Sequence, residues 1–266
     1  MWNWLTVIFL VAVGGPLVTP WLMAASGMTV PDTLEKCGTA TVGLVKSGDT
    51  LVTTDGLYIQ LASIKAPELW SEGSDYVSWP HAAWARDKLE RTVKGKMVRL
   101  FCEGETASFD GSTIAHVQLP SGEWLQDLLV ERGAAYVFPR RNHLTGIDRL
   151  YAAEDTARNQ RIGIWQTTNI VSADSEDIRT GWFQIVRGTV LNVATVGGQT
   201  FLNFGTDWRR DFTAEIPAAA LRSFKKADVD PSSFQLKQVE VRGWVTWKGG
   251  PHIMLEGPGQ IRAVSP

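Results

Sequence analysis

Apolar and polar positions alternate loosely over residues 39–45 and then meet Ser47-Gly48, the pattern of a half-buried strand ending in a turn. Residues 51–54 and 57–61 repeat the alternation around Asp55-Gly56, a dipeptide that predicts a two-residue type I′ hairpin. The period then changes. Gly, Ser, Asp and Pro over residues 69–79 predict an exposed loop. Pro80 suits a first helical turn, and Ala85, Leu89 and Val93 recur at helical spacing before Gly95. Residues 97–102 and 113–119 return to strand, the second turned by Pro120-Ser121-Gly122. Leu125, Leu128 and Leu129 share one helix face, with Gly133 placed as a C-cap. Ile147, Leu150 and Ala157 form a further stripe that runs to Gly163-Ile164-Trp165.

Strand, hairpin, helix, strand, strand, helix, helix is the order of a five-stranded OB barrel with appended helices, here over residues 36–167. Residues 168–180 are polar and acidic and read as a linker. Beyond it, residues 182–194 predict one long strand, and Gly197-Gly198 turns it into residues 200–204. Residues 212–216 predict a third strand, Pro217 opens a short helix, and residues 239–247 and 253–255 supply two more strands around Gly249-Gly250. The expected fold class is therefore mainly β with helices (α+β): an OB barrel with three helices, then a second small OB-like β-barrel over residues 181–266.

Composition adds a leader and removes one ligand class. Asp32 is the first charged side chain, so residues 1–26 form an apolar stretch long enough to cross a hydrocarbon core of about 30 Å. A basic n-region and a clean Ala-x-Ala site are missing, and Ala24-Ala25-Ser26 is the candidate cleavage zone. The segment is expected to be a signal peptide or a retained membrane anchor. The protein is then placed in the cell envelope: membrane-anchored, periplasmic or secreted. The two cysteines, Cys37 and Cys102, fall on the first and fourth barrel strands, which are neighbours; they either bridge or fill the core as small thiols. Residues 29–171 carry fifteen basic and eighteen acidic side chains, and the rest eleven and ten. Neither half has the basic excess on which non-specific nucleic-acid binding relies, so only a local patch would serve.

Candidate chemistry lies in Gly48-Asp49-Thr50, Ala66-Pro67-Glu68 and Ser112-Thr113-Ile114-Ala115-His116-Val117, followed by Leu150-x-x-Ala153-Glu154-x-x-Ala157. Together these resemble the thermonuclease (staphylococcal nuclease-like) family over roughly residues 38–165. The resemblance implies hydrolysis of DNA or RNA phosphodiesters with Ca²⁺. In that family two aspartates and a carbonyl hold the ion, two arginines flank the phosphate, and a glutamate handles the attacking water. Asp49 matches the first metal ligand and Glu68 the glutamate. Gln60 and Ser112 stand where the arginines would be, and Lys65 where the second aspartate would be. An ammonium thus replaces an anionic ligand of a hard cation, and neutral groups replace bidentate guanidiniums. Asp49 also reads as a turn residue bonded to local backbone, and Glu68 as a capping carboxylate. The degenerate site points to a binding or assembly module of the envelope. The alternative is a divergent Ca²⁺-dependent nuclease in which Arg86, Arg99, Arg140 or Arg141 reaches the phosphate from another direction; a solvated surface charge is the plainer reading of each.

Aromatic residues supply two further candidates. Trp70, Trp79 and Trp84 either line a groove that stacks bases or sugars or anchor the loop beside them. Phe204, Trp208, Arg209 and Arg210 combine rings and cations on a loop of the second barrel, a candidate site for single-stranded nucleic acid; envelope proteins are the other partner class. His81, His116, His143 and His252 show no metal-ligand spacing, and His116 reads as structural.

Overall fold

A strand of thirteen residues starts the first ring, long enough to serve two neighbours in turn. The computed structural model describes residues 28–69, 78–104, 106–107, 111–141, 143–207 and 209–264, so the expected leader, Trp70 and Trp208 lie outside the described residues. Strand β1 (Glu35–Ser47) pairs through its second half with β2 (Thr50–Thr53), which pairs with β3 (Tyr58–Leu61). A short β4 (Ile64–Lys65) and helix α1 (Ala82–Val93) precede β5 (Met97–Cys102), which pairs with the first half of β1. Strand β6 (Thr113–Gln118) lies antiparallel to β5 and parallel to β3, closing the ring β1-β2-β3-β6-β5. Ile59, Leu61, Val98, Leu100, Ala115 and Val117 alternate inward and are buried, the face that strand periodicity requires.

The Asp55-Gly56 hairpin differs from the type I′ expectation. Thr53 N–H donates to Leu57 O at 2.9 Å and Gly56 N–H to Thr53 O at 3.0 Å, so three residues form the loop. Gly56 alone has positive φ (86°) there, the arrangement of a type I turn followed by a left-handed glycine. Helix α1 buries Ala82, Ala85, Leu89 and Val93 as its spacing predicts. Helix α2 (Leu125–Glu131) is followed by β7 (Tyr136–Val137), which pairs with β4, and by α3 (Ile147–Asn159). Gly133 has φ 61°, and a Cβ there would stand 2.2 Å from Ile162 O; its side-chain-free approach seats the 3-10 turn at Gly163–Gln166.

Strand β8 (Val171–Ser172) arises inside the polar stretch and lies parallel to β9 (Phe183–Thr189). Strands β10 (Asn192–Val196), β11 (Gln199–Asn203) and β12 (Thr213–Ile216) follow, then helix α4 (Ala218–Lys226). Strands β13 (Gln238–Trp247), β14 (Pro251–Met254) and β15 (Ile261–Ala263) complete the chain. The hydrogen-bonded order is β10-β11-β12-β14-β13-β9-β8, with β15 also on β13 and β12 parallel to β14. The long strand expected over residues 182–194 is interrupted at Val190-Leu191. Leu191 N–H bonds Asn203 O at 2.8 Å while Asn192 also pairs with Asn203, a bulge that separates β9 from β10. Taking β9 and β10 as two halves of one bent strand, the ring has the strand order of the first, with a helix again between its third and fourth strands. Gly197 (φ 59°) and Gly198 (φ 80°) form the two-residue turn with both φ positive that Asp55-Gly56 does not.

The two rings share an aromatic core. Trp79, Tyr136, Phe138 and Trp165 of the first pack with Trp182, Phe183, Ile185 and Trp244 of the second. Beside it, β13 presents Arg242, whose Nη1 donates to Glu154 Oε1 and Oε2 of α3 at 3.0 and 2.9 Å and to Val137 O at 2.7 Å. Glu240, two residues earlier, accepts from Arg158, Arg187 and Arg262. Burial alone would raise the Glu240 carboxyl; the three guanidiniums outweigh it and hold it well below the usual carboxylate range. Among the described residues no helix is long and apolar enough to cross a membrane.

Cys37 and Cys102 are bonded, with Cα atoms 5.7 Å apart, across the β1–β5 register shift between Lys36 and Gly38. The bridge closes a loop of sequence separation 65. Loop entropy of that length predicts that Cys37→Ser/Cys102→Ser lowers unfolding free energy by about 4 kcal/mol, with little change in neutral-pH far-UV circular dichroism. Denaturant titration of the variant against the oxidised protein checks this.

Candidate functional site: an ammonium between two carboxylates

Asp49 is placed by the turn between β1 and β2. A Cβ on Gly48 would stand 2.6 Å from the Ala66 Cβ and 3.0 Å from the Ala85 Cβ, so glycine lets this turn lie against both β4's continuation and α1. The Asp49 carboxylate is buried and fully engaged. Oδ1 accepts from Ser47 Oγ at 2.6 Å and Thr50 Oγ1 at 3.2 Å, while Oδ2 accepts from Ala66 N–H at 2.9 Å. The local-bonding reading of Asp49 is thus part of its role, and the bond to Ala66 fixes the segment that carries the other two charges.

Lys65 ends β4, whose pairing with β7 sets Lys65 opposite Tyr136. Its ammonium lies 3.6 Å from Asp49 Oδ2 and donates a short hydrogen bond to Glu68 Oε1. The side chain is 12% exposed, against 4% for Asp49 and 23% for Glu68. The ammonium also faces the Trp244 ring of the second barrel at 5.9 Å from the centroid. Burial pulls the Lys65 pKa down, yet the charges of Asp49 and Glu68 together outweigh it and leave the pKa above its ordinary value. The group is a permanent cation at physiological pH.

Gln60 and Ser112 sit on adjoining strands of the same ring. Gln60 pairs with Thr50 and Ile114, and Ser112 is buried just before Thr113, which pairs with Ile59. Leu61 N–H, next to Gln60, donates to Asp49 O at 2.8 Å. The structure therefore joins Asp49, Lys65 and Glu68 into one cluster and sets the two neutral replacements on the strands beside it.

Residues 58–167 match the model of the staphylococcal nuclease homologue family. They form a staphylococcal nuclease-like domain. The match contains Gln60, Lys65, Glu68 and Ser112 and begins after Asp49, which the same ring supplies from β1 and β2. No curated protein matches the chain.

The nuclease-like domain does not fit the calcium ion of its family. Ca²⁺ takes six to eight oxygen ligands. Here Asp49 is committed to three hydrogen-bond donors, Glu68 is committed to Lys65, and an ammonium sits between them. Among the described residues no group of three or more acidic, histidine or cysteine side chains could hold a metal. Three of the candidate arginines have partners elsewhere. Arg86 pairs with Asp87, Arg99 bonds Gln118 Oε1 at 3.1 Å, and Arg140 bonds Glu256 Oε2 at 3.1 Å. Arg141 turns through a left-handed conformation (φ 47°) against Gly257.

Of the two aromatic readings, packing dominates at Trp79. It is buried, stacks on Trp182 and Phe183 and meets Trp244 edge-on at 5.3 Å, and it borders a cavity beside Trp182. Trp84 is half-buried under Lys88. Phe204 packs edge-on against Phe212 at 4.9 Å, on the second core, leaving Arg209 and Arg210 exposed on the β11–β12 loop. His116 is buried 3.7 Å from Glu103 and against Trp124, the structural role expected of it. Sequence reasoning named Glu154 only within a family-like stretch and assigned no role to Glu240 and Arg242, whose alternation with valines on a strand is equally the pattern of a solvent face.

Removing the Lys65 amine leaves two largely buried carboxylates together. Lys65→Met is expected to destabilise the protein by on the order of 3 kcal/mol, the cost of breaking a buried pair. Because the folded-state pKa is raised, this contribution is fully present below the ordinary lysine value of 10.5 and fades as pH rises through the folded value. Denaturant titrations should show a constant wild-type-to-variant gap from neutral pH to about 10 that narrows above it.

Proposed function

We propose that this protein is a non-hydrolytic binding or assembly module of the cell envelope, exported through its N-terminal apolar segment. The observation that carries the reading is the Lys65 ammonium, which occupies the space between the two carboxylates that a nuclease-like site would turn toward a cation. The phosphate-stabilising charges are replaced as well, by Gln60 and Ser112. Losing one preorganised donor costs on the order of 10²–10³ in rate, and an arginine at a transferring phosphoryl group is worth about 10³–10⁵. Two such losses beside a filled metal position leave no efficient route to hydrolysis.

The second barrel supports the same reading from the other side. Trp244 faces Lys65, and the aromatic junction packs the two rings together beside the cluster. A site that must admit a polynucleotide gains nothing from such a neighbour, whereas a rigid two-barrel body offers fixed outer surfaces to partners.

Cleavage of single-stranded DNA, assayed with Ca²⁺ and with chelator, tests the proposal. The expected result is no metal-dependent nicking above the protein-free control. Robust Ca²⁺-dependent cleavage that disappears in Glu68→Gln would contradict it and establish a divergent nuclease.

A further inference from the structure

A cavity of about 410 Å³ lies between the aromatic junction of the two rings and the polar stretch of residues 167–179 that connects them. Small-molecule sites favour such domain boundaries and have volumes of this order. Trp79, Tyr136, Trp182 and Phe183 give it an aromatic lining. Trp182 is only partly buried and stacks on Trp79 with ring centroids 6.0 Å apart, so the indole is held in place while part of its surface stays open.

The polar lining is fixed on both sides. Tyr136 Oη and Thr168 Oγ1 are 2.8 Å apart, and Thr167 Oγ1 lies 2.9 Å from His81 Nε2. On the side of the second ring, Gln184 Oε1 accepts from Arg179 N–H at 2.7 Å, and the Gln184 amide donates to Asp177 O at 3.2 Å. Asp177 and Arg179 are the only charged side chains that line the cavity, one of each sign. Both are exposed, as is Asn169 beside them. Among the described residues the Asp177 carboxylate, the Arg179 guanidinium and the Asn169 amide have no hydrogen-bond or ion-pair partner. Three planar polar groups thus stand ready on a braced backbone next to an open indole, an arrangement that lowers the ordering cost of binding.

We infer that this cavity binds a neutral sugar chain, with a pyranose ring laid against Trp182 and its hydroxyls taken by Asp177, Arg179 and Asn169. A pyranose joins an apolar C–H face to a rim of hydroxyls, each both donor and acceptor. The indole answers the face. A carboxylate accepts two O–H bonds and a guanidinium donates two parallel N–H bonds, so adjacent hydroxyls satisfy both side chains together. Other ligand classes fit less well. A phosphate would meet the Asp177 carboxylate with a single cation to offset it, and a cationic ligand would meet Arg179. A hydrocarbon chain would strip water from both charges and return no hydrogen bond. None of Asp49, Lys65 and Glu68 lines the cavity, so the inference goes beyond the reading of that cluster and does not depend on its fate.

Titration of the full chain with tetrasaccharides of glucose and of N-acetylglucosamine, in a detergent without a sugar headgroup, tests this through tryptophan fluorescence. The expected result is saturation by at least one of them with a dissociation constant of about 10 μM–1 mM. Asp177→Ala and Arg179→Ala, at exposed positions, should each weaken binding about fivefold or more, the worth of one hydrogen bond, with an unchanged far-UV spectrum. Trp182→Ala should weaken it about tenfold, the worth of an aromatic contact. No saturation by either sugar up to about 10 mM would overturn the inference, as would binding indifferent to all three substitutions. A thymidine tetranucleotide that saturates the same signal more tightly than both sugars would also overturn it.

Discussion

Two carboxylates held this close repel each other unless a cation lies between them, and in this barrel the cation is covalently part of the chain. Lys65 brings its ammonium to Asp49 and Glu68 on a strand of two residues. Opposite charges about 4 Å apart, close to the 3.6 Å between Lys65 and Asp49, attract by on the order of 4 kcal/mol at an effective dielectric near that of a protein surface, so losing the neutralising group is costly. A nuclease-like ring can meet this demand with a metal, which also polarises water and phosphate. An ammonium meets it with three hydrogen-bond donors and offers no open coordination position. An ammonium can satisfy the structural need, but it supplies none of a metal's Lewis-acid chemistry.

The second barrel extends this logic. It repeats the strand order of the first, including the parallel contact between third and fifth strands, and it docks by the face that carries Trp244. The docking face is not purely apolar. Arg242 and Glu154 are both fully buried, and Glu240 collects three arginines. Removing one member of such a set strands the others, so the network specifies one relative placement of the rings even where an apolar patch of the same size would bind as tightly. The Tyr151 hydroxyl, pushed up to about 12 chiefly by burial, stays protonated within this junction and donates to Gly259 O.

How much of this was readable in the chain depended on whether local pattern or tertiary contact decided the outcome. The strands and helices of the first ring follow from alternation and helical spacing, and Gly133 followed from cap chemistry. The tightness of the Asp55-Gly56 loop did not, because its dipeptide fits both a two-residue and a three-residue turn and strand registry chose between them. The break at Val190-Leu191 was invisible, as a bulge leaves no compositional mark in an apolar run. Trp79 read as exposed from its Gly- and Ser-rich surroundings, and only the docking of Phe183 and Trp244 buries it. Glu240 and Arg242 are the clearest case: their alternation with Val239 and Val241 is a correct strand signal, but nothing in it says that α3 covers their face through Glu154 and Arg158. At the candidate site, the identities of Asp49, Lys65 and Glu68 were legible as retained or replaced positions. Whether the lysine would turn toward or away from the carboxylates was a matter of packing between β4, β7 and Trp244.

Calcium binding to the wild-type protein, followed by isothermal titration calorimetry with Asp49→Asn as the control, tests the central claim most directly. The account predicts no saturable heat into the millimolar range, with wild type and variant indistinguishable. A single site of submillimolar affinity that vanishes in Asp49→Asn would contradict it, since the ion would then be displacing the ammonium that is held here to take its place.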